Sequence, residues 1–113
     1  MAAAGREWSW SYFDHPPLSW WLSAGAAALF GSEAAIVLRL PFIALFALTT
    51  WLVFAWTREM FGERAGLWAA GTLNMAPVLG LTTGSWVLPD GPLLPALLGF
   101  GWALHRAMLR DQW

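Results

Sequence analysis

Residues Leu40 to Thr57 read LPFIALFALTTWLVFAWT, eighteen consecutive positions without a charge. Wound as an α-helix, such a run extends about 27 Å, close to the ~30 Å hydrocarbon core of a bilayer. Ile36 to Leu38 lengthen it past Arg39, which lies near one end and can send its guanidinium to the interface. Pro41 sits near that same end. The whole chain agrees with this reading. Of its 113 residues, 58% are hydrophobic and 12% charged. An ordinary soluble domain is roughly 45–50% apolar and about 25% charged. There are ten tryptophans, a residue that favours the membrane–water boundary. With no cysteine, disulfides and thiolate metal sites are excluded. A net charge of −1 gives no basic surface for nucleic acid.

Outward from that run, Ala65 to Leu88 is a second uncharged stretch, of twenty-four residues, with Asn74, Pro77, Gly71, Gly80 and Gly84 inside it. It reads as a span kinked or shortened near Pro77, since bilayers tolerate such breaks where protein or water covers the freed backbone groups. Gly91 to Leu109 gives a third span that ends on His105 and Arg106. Leu18 to Phe30 is too short to cross. It reads as an interfacial helix with Leu18, Trp21, Leu22, Leu29 and Phe30 on its apolar side and Ser19 and Ser23 on another. Gly31 is its expected stop, and Ser32-Glu33 the expected start of the next helix. The fold class is therefore all-α, a polytopic membrane protein of about three transmembrane helices and one interfacial helix. The expected boundaries are a polar segment over 1–17, an interfacial helix over 18–30 and spans near 34–60, 64–86 and 91–109. Arg58, Arg64, Arg106 and Arg110 fall on one side of such a bundle, against Arg6 and Arg39 on the other. The positive-inside rule then places the 58–64 loop and the C-terminus in the cytoplasm. Residues 1–17 and about 86–91 lie outside. MAAAGREWSW at the N-terminus lacks the pattern of a signal peptide, so an upstream span is expected.

On this topology Asp14, His15 and Asp90 share the outer face with Arg39. Each has a structural explanation. Asp90 precedes Gly91-Pro92 and suits a helix cap. Asp14 precedes Pro16-Pro17 and suits another. His15 can simply be solvated, and Arg39 can simply reach the interface. Read jointly, two carboxylates and an imidazole beside apolar walls can manage a charged head group on a lipid tail. A carboxylate can take a proton from an attacking hydroxyl, or bind a divalent metal with a histidine. A protonated histidine or an arginine can hold a phosphate.

Five blocks occur in a familiar order: Tyr12-Phe13-Asp14-His15-Pro16-Pro17-Leu18, Leu29-Phe30-Gly31-Ser32-Glu33, Val37-Leu38-Arg39-Leu40-Pro41, Arg58-Glu59-Met60-Phe61-Gly62 with Arg64-Ala65-Gly66, and Pro89-Asp90-Gly91-Pro92-Leu93. The chain resembles the N-terminal part of GT-C membrane glycosyltransferases, in particular bacterial protein O-mannosyltransferases and the transferases that put aminoarabinose on lipid A. The resemblance implies residence in a bacterial inner membrane. It implies transfer of a sugar from a polyprenyl-phosphate-linked donor to an acceptor on the outer face. It also implies roles: Asp14 as a metal ligand, with a divalent metal as the cofactor, His15 facing the lipid phosphate, and Asp90 as an active-site carboxylate. His15 stands where the family carries His or Lys. The family's upstream Asp-Glu pair has no counterpart, since Arg6-Glu7-Trp8 stands there, and family members are several times longer. The expectation is thus a piece of a transferase, unable to turn over alone, whose partners are membrane lipid, the donor and the rest of the enzyme. The competing expectation is a small non-catalytic membrane protein that binds partner helices or lipid, with Gly71, Gly80, Gly84, Gly91, Gly99 and Gly101 allowing close helix approach.

Overall fold

The computed structural model describes residues 17–32, 34–78 and 90–109. Among them every regular element is a helix: α1, Pro17–Phe30; α2, Ala35–Phe61; α3, Glu63–Met75; and α4, Asp90–Leu109. Pro17 opens α1, where its fixed φ suits a helix start and its missing N–H would be unpaired anyway. Gly31 ends that helix at φ 62°, a left-handed conformation natural to glycine. The Ala34 carbonyl then accepts the Val37 and Leu38 N–H groups at 2.9 and 3.2 Å and starts α2.

With its 27 residues, about 40 Å of helix, α2 organises everything else. Among the described residues it alone is long and apolar enough to cross a membrane, against the three spans expected. Pro41 lies near its N-terminal end and removes a single backbone bond there. The helix stops at Gly62, whose φ of 93° no other residue type adopts readily. The expected 58–64 loop is thus one residue long, because Thr57 to Phe61 and Glu63 onward are both helical.

From Gly62, α3 folds back antiparallel along α2. Gly66 permits this. A Cβ there would lie 2.8 Å from the Phe54 carbonyl oxygen and 3.1 Å from Arg58 Cβ. Two turns on, Asn74 Nδ2 donates to Thr50 Oγ1 at 3.1 Å and to the Ala70 carbonyl at 2.8 Å. The helix ends at Met75, and Ala76 is extended at φ −79°, ψ 103°, as the residue before Pro77 prefers. Thirteen residues make about 20 Å, short of a bilayer core, so the second expected span is not one continuous described helix. Its remainder, 79–89, lies outside the described residues.

Helix α4 runs parallel to α2. Trp51 meets Trp102 edge to face with centroids 5.9 Å apart, Trp56 covers Gly101, and Glu59 binds Arg106. Its twenty residues have the length to cross, but Gly, Pro, His and Arg dilute its apolar character.

The interior is built from few and mostly small residues. Phe42, Thr49 and Leu52 of α2 are buried, with Ser19, Ser23 and Ala26 of α1, Gly66 of α3, and Gly91 and Pro95 of α4. Ser19 and Ser23 thus face inward, and Ser23 Oγ satisfies itself on the Ser19 carbonyl at 3.2 Å. Leu18, Leu29 and Phe30 point outward instead. Large apolar side chains cover the outside: Leu29 is 81% exposed, Trp68 77% and Met75 84%. A water-soluble domain buries such residues. Helices that meet through small residues and turn large apolar ones outward are at home in lipid.

Candidate functional site

The parallel course of α2 and α4 decides which polar residues share an end of the bundle. Contacts pair Trp51 with Trp102, Trp56 with Gly101 and His105, and Glu59 with Trp102 and Arg106. Following the register of Glu59 opposite Arg106 back along both helices brings Asp90 level with Ile43. That is one turn from Arg39, about 6 Å along the axis. Arg39 and Asp90 therefore occupy the same end, and Glu59, His105 and Arg106 the other.

Arg39 is exposed in the second turn of α2, and no acidic side chain pairs with it among the described residues. Asp90 is the first residue of α4 and is exposed, while Gly91 and Pro95 behind it are buried. A carboxylate in that first turn is stabilised by the unpaired N–H groups of the helix start. The structural explanation for Asp90 and an active role are compatible, since the same placement holds its charge at the mouth of the bundle. Asp14 and His15 lie outside the described residues. Among the described residues no group of three or more His, Asp or Glu side chains comes together to hold a metal ion.

An open apolar groove of about 460 Å³ lies between α1 and α2. Trp21, Leu22, Gly25 and Leu29 line it from α1, and Leu40 and Pro41 from α2. Leu40 and Pro41 directly follow Arg39, so the groove opens at the end of α2 that carries the cation. Gly25 contributes its depth, as nothing lies within 4 Å of where its Cβ would stand. A groove of this lining accepts hydrocarbon and offers no partner to a polar ligand.

Sequence reasoning missed the cluster at the opposite end. Trp102 Nε1 donates to Glu59 Oε2 at 2.7 Å, and Arg106 Nε shares its proton between both Glu59 oxygens at 3.1 Å. The Arg106 guanidinium also stands 4.7 Å from the Trp102 ring centre, a cation–π stack. Trp102 and Arg106 are one helical turn apart, a spacing visible in the sequence. Their joint acceptor was not visible, because Glu59 lies more than forty residues away.

With this geometry described, comparison with known proteins adds one finding. The family model for dolichyl-phosphate-mannose-protein mannosyltransferase matches residues 14–113, nearly the whole chain. No curated protein and no solved structure shows a significant match.

Proposed function

The chain belongs to the dolichyl-phosphate-mannose-protein mannosyltransferase family, and from that premise we propose that it forms the outer-face donor corner of a membrane glycosyltransferase. The family is a GT-C type of membrane-integral enzyme that uses a lipid-linked sugar. The observation that carries the reading is the gathering, at one end of α2, of a cation without an acidic partner among the described residues, a helix-start carboxylate and an apolar groove. A polyprenyl phosphate needs those three surfaces: one for hydrocarbon, one for phosphate and one for the reacting hydroxyl.

In this reading the acceptor hydroxyl attacks C1 of the sugar, and the bond from C1 to the phosphate oxygen breaks. Asp90 takes the hydroxyl proton. Polyprenyl phosphate leaves with the bonding electrons, and Arg39, with His15 in its protonated form, holds the charge that develops on it. Asp14 is proposed as a ligand for a divalent cation, its carboxylate oxygen being the donor such cations prefer. The three-span topology, with Asp14, His15, Arg39 and Asp90 on the outer side of an inner membrane, belongs to the same proposal. Gly71 and Gly99, which have open space beside them, are where further helices of the transferase would approach.

Binding of a polyprenyl-phosphate sugar to the chain in lipid nanodiscs tests the reading. Loss of a charge-assisted contact of roughly 1.5–3 kcal/mol makes Arg39→Gln bind about ten- to a hundredfold more weakly. Asp90→Asn leaves donor binding within a factor of about two and, in the assembled transferase, removes sugar transfer. Equal donor binding by Arg39→Gln and the native chain overturns the assignment.

A further inference from the structure

The Glu59 cluster lies at the end of the bundle opposite the proposed chemistry, on the same two helices that carry Arg39 and Asp90. We propose that Glu59 is a positioning residue: its carboxylate indexes α4 against α2 and thereby sets the height and rotation of Asp90 at the other end of the bundle. This rests on the reading of Asp90 given above.

The argument is geometric. A single contact between two helices leaves them free to pivot. Glu59 makes two, to residues one turn apart on α4, because Oε2 accepts from Trp102 Nε1 while both oxygens accept from Arg106 Nε. Sliding α4 by one residue moves it about 1.5 Å and turns it about 100°, which breaks both bonds together. The donors are themselves held, Arg106 by its stack on the Trp102 ring and Trp102 by its edge-to-face contact with Trp51. Below them Trp56 lies on Gly101, where an added Cβ would come within 2.9 Å of its ring, so the two helices approach closely there. The polar bonds supply the register that the apolar surfaces lack. Pro95 lies between the cluster and Asp90. It removes only the bond to the Gly91 carbonyl, and α4 stays continuous from Asp90 to Leu109, so a shift at Trp102 is carried to Asp90.

The chain has no cysteine, so a pair of spin labels can be placed in one molecule at Ile36→Cys on α2 and Leu93→Cys on α4, both exposed positions near the Asp90 end. The distance distribution between them in nanodiscs is the readout. Glu59→Ala is expected to shift or broaden it by at least about 1.5 Å, the rise of one residue. Arg106→Ala, which leaves the Trp102 bond, is expected to give a smaller change in the same direction. The double variant is expected to match Glu59→Ala alone, because both substitutions release one device. Glu59→Gln, which keeps an oxygen for Trp102 and folds with the same volume, is expected to fall between native and Glu59→Ala. Distributions for Glu59→Ala or Glu59→Gln that superimpose on the native one overturn the proposal, as does additivity in the double variant. The distances do not depend on sugar transfer. If Asp90 takes no part in the chemistry, the labels still move and only the transfer experiment on Asp90→Asn fails.

Discussion

Gly66 and Gly101 both sit where one helix presses on another, but they differ in what presses. At Gly66 the neighbour is the Phe54 carbonyl oxygen, part of the α2 backbone, which cannot yield without bending the helix. At Gly101 it is the far edge of the Trp56 ring, which can turn aside. Gly66→Ala is therefore expected to destabilise the chain by about 1–3 kcal/mol, and Gly101→Ala by less than about 1 kcal/mol, partly offset by the better helix propensity of alanine. Thermal midpoints of the two variants in one detergent give the order; equal losses would contradict the structural distinction. The sequence marks Gly101 as a site of close approach but not Gly66, since the need for glycine there depends on which atom of a distant helix arrives. The same limit applies to the candidate site. Arg39 and Asp90 stood out by residue type and flanking prolines, whereas Glu59 did not, because its partners become neighbours only after α4 has docked.

Between elements, α2 and α3 form the most closely joined pair, turning on Gly62 and closed further along by Asn74. That amide reaches Thr50 across the interface and also binds its own helix at Ala70. Only the first of these bonds holds the helices together. Interhelical bonds of this kind in lipid average about 0.6 kcal/mol. Asn74→Leu is expected to cost roughly that amount, and to cost nothing further once Thr50→Val has been made. A double-mutant cycle by unfolding in mixed micelles checks it, and two fully additive losses would show that the Asn74–Thr50 bond contributes nothing. Two helix ends were legible because they depend on local chemistry: Gly31 at positive φ, and the break at Pro77 with an extended Ala76 before it; the stop at Gly62 was not singled out within the expected 58–64 loop. The uncharged run of twenty-four residues was expected to be kinked or shortened near Pro77, and α3 ends at Met75, two residues before it. The inward side of α1 was not legible. Ser19 and Ser23 were read as lying away from the apolar side, but both are buried small residues that let α1 approach its neighbours, and Ser23 donates to the Ser19 carbonyl of its own helix.

At the scale of the molecule, the family match and the outward-facing Leu29, Trp68 and Met75 describe a chain built to sit in lipid. Among the described residues one helix, α2, is long and apolar enough to cross a membrane, and α4 lies parallel beside it. Two parallel neighbours bring their N-terminal ends to the same face. That is why Arg39, Asp90 and the groove behind Leu40 and Pro41 are gathered at one end, while the corner at Gly62 lies at the other. The account predicts a sidedness that the absence of native cysteine makes simple to read. Single cysteines at Asp14, Asp90 and Glu63 would be probed with a membrane-impermeant maleimide in sealed, right-side-out vesicles. The account predicts rapid labelling at positions 14 and 90, and labelling at position 63 only after the vesicles are opened. Labelling that puts 14 and 90 on opposite sides, or 63 on the same side as both, would contradict it.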